Sequence, residues 1–146
     1  MAAAERTEIV DVPLAKLYKA ICDYDSYPKF VTGASKVKVL SRDGNAAKVQ
    51  FDVEMMKRVE YTLNLREEID AEGRSARVSW TLDSSKFFKI SNGLWELKVL
   101  GPDKTQVLYK LELEFDFPVP GFVLKKLVAS ALPKAIQDFT DQARKL

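Results

Sequence analysis

Tyr61, Tyr109 and Trp80 are the side chains of this sequence best suited to orient a small molecule. Each lies in a run where apolar and polar residues alternate, with Leu63, Leu111 and Leu82 two residues further on. Alternation of period two puts such residues on the covered face of a sheet, where a phenol or indole offers a hydrogen bond inside apolar surroundings. That arrangement suits binding better than catalysis. A tyrosine with an unshifted pKa near ~10 moves protons poorly at neutral pH. The chain has no histidine and one cysteine, Cys22, so it lacks the usual general base, any His-dependent triad and the donors of a transition-metal site. By strand parity the Asp, Glu, Lys and Arg residues of the regular alternation point outward. Asp23 and Asp25, beside Tyr24 and Tyr27, fit helix-capping and turn roles better than an acid pair.

A second group of residues gathers only when turns are counted. In a meander, alternate turns lie at one end of the sheet. Arg42–Asn45, Asp70–Arg74 and Gly101–Lys104 are short, polar turns that carry glycine. The connections at the other end are Met55–Arg58, Lys86–Lys89 and Pro118–Lys126. These mix apolar Met56, Phe87, Phe88 and Phe122 with basic Lys57, Arg58, Lys86, Lys89, Lys125 and Lys126. Exposed apolar groups ringed by cations suit a cavity mouth that docks on a partner or touches an anionic membrane transiently, where each cation contributes about 1 kcal/mol. Gly121, between Pro120 and Phe122, offers such a mouth a hinge.

The elements that position these residues follow from periodicity. A short extended segment at Thr7–Val12 ends at Pro13, which suits a strand-to-helix junction. Leu14, Leu17, Tyr18 and Ile21 then recur at helical spacing, and a second short helical piece falls within Asp23–Val31. Six alternating runs fill Ser35–Phe117, with a tight-hairpin signal at Asp43-Gly44. Pro120–Leu146 is an amphipathic helix with Leu124, Leu127, Val128, Ala131, Ala135 and Phe139 on one face. Pro133 predicts a kink or break near its middle. The fold class is α+β. A seven-stranded antiparallel sheet curls around one long C-terminal helix, with two short helical pieces after the first strand. A bent helix over an aromatic-rich sheet leaves room for an apolar cavity. The residues expected to line it are Phe51, Val53, Met55, Tyr61, Leu63, Val78, Trp80, Trp95, Leu97, Tyr109, Leu111 and Leu113 of the sheet. Leu124, Val128 and Leu132 are expected to line it from the helix.

The segment Asp23–Val31 (DYDSYPKFV) resembles the D-x-x-x-YP-x-F stretch of START-like polyketide cyclase/dehydrase and coenzyme Q-binding proteins. So do Gly93-Leu-Trp95, Thr105, Tyr109, Phe115-Asp-Phe117 and the Ala143-Arg144 close. Where coenzyme Q-binding members continue the first motif with Pro-Trp-Cys, this chain has Thr32-Gly33-Ala34. The resemblance implies a helix-grip fold whose cavity takes a lipid, quinone or polyketide. An aromatic polyketide cyclase/dehydratase using the same cavity is the alternative it implies. A protein-interaction module related to ribosome-associated toxins is another.

The remaining numbers bound the reading. The 146 residues suit one domain, and 47% hydrophobic with 30% charged residues is an ordinary globular composition. With 23 basic and 21 acidic residues the net charge of +2 gives no argument for nucleic acid. One cysteine suits a reducing compartment, so a cytoplasmic protein is expected, with no cofactor and no metal.

Overall fold

The computed structural model describes residues 2–55 and 57–146. Strand β1 (Ala2–Val10) comes first, followed by helices α1 (Leu14–Cys22) and α2 (Tyr27–Phe30), with a 3-10 turn at Tyr24–Ser26 between them. Six strands follow: β2 (Ala34–Asp43), β3 (Ala46–Glu54), β4 (Arg58–Ile69), β5 (Ser75–Ser85), β6 (Phe88–Gly101) and β7 (Lys104–Phe115). Helix α3 (Gly121–Arg144) ends the fold. The sheet order is β1-β7-β6-β5-β4-β3-β2, and every neighbouring pair is antiparallel. This is the helix-grip arrangement expected from the alternation.

Strand β1 begins at Ala2 rather than Thr7, because its register with β7 runs from Ala2↔Leu113 to Val10↔Thr105. Alanine is a poor strand former, and pairing with β7 overrides that preference. Pro13 holds extended angles and its carbonyl accepts from Lys16 and Leu17, opening α1. The buried Thr105 hydroxyl donates to the Val12 carbonyl at 2.7 Å and ties this junction to the start of β7. Asp23 stands at the next junction without a side-chain cap bond, so the capping role expected of it is not seen.

Helix α3 runs without a break through Pro133. Pro133 lies on the exposed face, where water can satisfy the carbonyl its ring leaves without a donor. Leu124, Val128 and Leu132 pack with Ala2, Leu111, Leu113 and Phe115. One turn further on, Ile136, Phe139 and Ala143 join Val10, Leu14, Leu17 and Ile21. Each fully buried aliphatic side chain in these stripes contributes about 1.5–3 kcal/mol. The helix therefore seats on β1, β7 and α1, and not on the middle of the sheet. That leaning opens a space over β3–β6. No helix among the described residues is long and apolar enough to cross a membrane.

Glu67 corrects the parity expectation. It continues the inward series Val59, Tyr61, Leu63 and Leu65, and its side chain is only 10% exposed. The Tyr24 hydroxyl donates to it at 2.6 Å, and Arg42 grips both carboxylate oxygens at 3.0 Å. Burial alone would raise its pKa, but the hydrogen bonds from Arg42 and Tyr24 outweigh it and hold the carboxyl below its ordinary value of 4.5. The unfolded chain therefore protonates Glu67 first as pH falls. The network's stabilisation is complete above the unfolded value and is lost as pH drops through the folded one. In urea titrations, Glu67→Gln should flatten the acid-side fall in stability that wild type shows below pH ~4.5. An unchanged slope would mean the network carries no net proton linkage.

Candidate functional site

The space left by α3 is a cavity of about 350 Å³. Its volume corresponds to roughly a dozen water molecules at liquid density. The floor is aromatic. Trp95 and Tyr109 stack at 4.2 Å, Trp80 lies 6.0 Å from Tyr109, and Phe51 and Tyr61 stack at 5.3 Å. Registers Val78↔Trp95 and Trp95↔Tyr109 put large inner-face residues side by side. At Trp80↔Gly93 the pattern changes: a Cβ on Gly93 would sit 2.4 Å from Trp80 Cζ2 and 2.6 Å from the Lys110 carbonyl. Glycine is thus what allows the indole to lie against β6. The roof is Leu127, Ala131 and Ala135 of α3, and Tyr27 and Phe139 close one end with rings 5.1 Å apart.

Polar groups in the lining are few, as in most small-molecule sites. Burial pushes the Tyr61 and Tyr109 hydroxyls well above the usual tyrosine range, so both stay neutral. Neither hydroxyl has a hydrogen-bond partner among the described residues. Ser91 also lines the cavity and is 4% exposed. Among the described residues, the charged members of the lining are Glu54, at the end of β3, and Lys134 and Asp138, in the second half of α3. Asp138 is buried, accepts from the Thr32 N–H at 2.9 Å and faces Lys134 Nζ at 3.5 Å. Gly33, at φ +87°, accepts from Glu54 N–H at 2.8 Å, and a Cβ there would meet the Glu54 carbonyl. The loop at residues 31–34 is thereby strapped to both α3 and β3 along one rim.

Of the residues expected to line the cavity, the structure brings together Phe51, Val53, Met55, Tyr61, Leu63, Trp80, Trp95, Tyr109, Leu111 and Leu113. Val78 and Leu97 are buried in the packed core nearer α1. Leu124, Val128 and Leu132 point at β1 and β7 instead. The roof comes from the adjacent stripe, offset by one residue. Sequence periodicity marks both stripes as apolar, and only the small size of Ala131 and Ala135 hints at which one faces empty space. Ser91 and Asp138 were not anticipated. Ser91 falls where the alternation ahead of Trp95 is broken, and Asp138 is a charged residue within a helix read by its apolar face, so the sequence marks neither as lining.

The three apolar-basic connections do cluster. Lys57 Nζ lies 4.3 Å above the Phe117 ring and 5.1 Å above that of Phe87, and the Asp116 N–H donates to the Phe87 carbonyl at 2.7 Å. Their members differ in availability. Met56 lies outside the described residues. Arg58 is committed to the Asp52 carboxylate. Phe88 is 3% exposed, stacked on Phe115 inside the core, because β6 begins at Phe88 and not after it. Phe122, by contrast, is 76% exposed on the first turn of α3, next to exposed Lys125 and Lys126. Lys86 and Lys89 are exposed as well.

The model of the family described as polyketide cyclase / dehydrase and lipid transport matches residues 10–140. Comparison with curated protein sequences gives no match. Among solved structures, a START superfamily protein from Mycobacterium smegmatis superposes with a TM-score of 0.84 at 19% identity, over 99% of both chains. The Zhui aromatase/cyclase from Streptomyces sp. R1128 gives 0.80 at 14% identity, over 98% of this chain and 93% of that one. Human StAR-related lipid transfer protein 5 gives 0.82 at 8% identity, over 98% of this chain and 76% of that one. At these identities the likeness is one of fold.

Proposed function

The chain belongs to the polyketide cyclase / dehydrase and lipid transport family, and from that premise we propose that it binds a hydrophobic small molecule between its sheet and α3. The observation that carries this reading is the aromatic floor under a roof of small residues, with the Tyr61 and Tyr109 hydroxyls free to take a ligand. Lipids, quinones and polyketides all share the chemistry it would accept. Lipid-transfer and aromatase/cyclase proteins of the same fold support the class. A cyclase or dehydratase would need a proton carrier at the cavity. Asp138, the buried carboxylate of the lining, already serves Thr32 and Lys134, which favours binding over chemistry. Native mass spectrometry of the purified protein tests the reading: a co-purifying apolar molecule is expected, released on unfolding. Both tryptophans line the cavity, so added ligand should also change the intrinsic fluorescence. A protein that carries nothing and whose fluorescence ignores lipids, quinones and polycyclic aromatics would sink it.

The end of the domain bearing Phe122, Lys125, Lys126, Lys86 and Lys89 is the proposed portal, docking transiently on anionic membrane. Phe122 would enter the interface while the lysines meet lipid phosphates, as their exposure allows. Flotation with vesicles of 30% phosphatidylserine is expected to recover wild type at low salt. Recovery should fall at high salt, and for the variant with all four lysines changed to Glu. Wild type that ignores such vesicles at low salt would make these lysines ordinary solubilising groups.

A further inference from the structure

The β5–β6 ladder runs from Ser75↔Lys98 only as far as Trp80↔Gly93. Beyond that point Thr81–Ser85 pair with β4 alone and Phe88–Asn92 with β7 alone. Irregularities at Thr62/Leu63 and Phe88/Ile90 lie on the far sides of both strands and bend them apart. At its open end the Phe88 N–H donates to Ser85 Oγ at 3.2 Å, and a second side chain bridges the split beside the ladder. The Leu82 N–H donates to Asn92 Oδ1 at 3.3 Å, and Asn92 Nδ2 donates in turn to Glu112 at 3.3 Å.

Ser91 is the residue beside that bridge, on the opposite face of β6. Its register partner Leu113 lines the cavity, and so does Ser91 itself. It is 4% exposed, and its hydroxyl has no hydrogen-bond partner among the described residues. Among the described residues the only sealed side-chain polar atom without a partner is Thr140 Oγ1, so the Ser91 oxygen opens into the cavity. What answers the hydroxyl must therefore come from whatever fills the cavity. Among the described residues, the charged members of the lining are Glu54, Lys134 and Asp138, and β3 is separated from β6 by β4 and β5. The one cation of that lining, Lys134, is already paired with Asp138 at 3.5 Å, so an anion brought to Ser91 would meet no free cation, and an ion buried unpaired is strongly disfavoured.

We infer that Ser91, at the β5–β6 split, holds a neutral hydroxyl or carbonyl group of the cavity's ligand. This rests on the cavity being a binding site, and it names the chemistry at the site's inner wall.

The test is isothermal titration calorimetry with three two-ring probes, naphthalene, 2-naphthol and 2-naphthoate, against wild type and Ser91→Ala. Wild type should bind 2-naphthol about fivefold more tightly than naphthalene, the effect of one hydrogen bond. In Ser91→Ala that ratio should fall to about one while naphthalene affinity is unchanged, which also shows the variant is folded. 2-Naphthoate should be the weakest of the three in wild type. A ratio unchanged by Ser91→Ala overturns the role of Ser91, and its hydroxyl then holds only water. 2-Naphthoate binding as tightly as 2-naphthol overturns the neutral class. If none of the three binds either protein, the cavity reading falls, and this inference with it.

Discussion

Ala131→Trp is expected to weaken binding of an apolar probe such as Nile red by about 100-fold, equivalent to about 2.7 kcal/mol. Ala131 sits in the cavity roof on α3, and its neighbours in that stripe are Leu127 and Ala135. An indole at this point would lie in the space that ligand needs. It would displace no packed side chain, because Leu124, Val128 and Leu132 carry the helix's seat on β1 and β7. The urea midpoint should accordingly hold or rise, since filling a void adds contacts without overpacking. The two readouts move apart only if the cavity is the binding site. Retained Nile red affinity in a folded Ala131→Trp protein would place binding elsewhere.

Gly93→Ala should destabilise the protein by about 3 kcal/mol, at the upper end of overpacking effects. For a chain of this size that is a drop of roughly 10 °C in Tm. One added methyl meets two obstacles, the Trp80 ring at 2.4 Å and the Lys110 carbonyl at 2.6 Å. The ring can swing, but the carbonyl belongs to the β6–β7 ladder and moves only with it. In a Trp80→Leu background the same substitution should therefore be milder without becoming neutral, a coupling that a double-mutant cycle measures. A change within 0.5 kcal/mol in wild type would show that Trp80 does not lie against Gly93.

Sequence alternation made the sheet legible. Residues 46–65 and 105–115 alternate so regularly that strand parity places Phe51, Tyr61, Tyr109 and Leu111 on the inner face, and the cavity has them there. The same parity, carried two residues past Leu65, reaches Glu67. The neighbouring acids Glu68 and Asp70 hide that step, because Glu68 beside it points outward. The helix was harder. Two neighbouring apolar stripes on α3 are equivalent by periodicity, and the choice between them is made by β1 and α1, which periodicity does not see. Ser91 was illegible for another reason. Residues 88–92 break alternation where β6 is irregular, so a strand there looks like a loop. The irregularity that conceals the strand is also what parts it from β5.

The position of β1 beside β7, with α3 lying across β1 and α1, governs when the domain can form. Strand β1 pairs with β7, and α3 closes on β1. Contacts of such long sequence separation make folding slow. During synthesis, strands β2 to β6 emerge as a meander whose aromatic inner face has no cover. Trp80, Trp95 and Phe51 stay open to solvent and to other chains until residues 121–144 clear the ribosome. Ligand cannot be captured before then, because neither roof nor floor is complete. An apolar ligand present once α3 has emerged would bind only the closed form and draw the late docking of α3 forward by mass action.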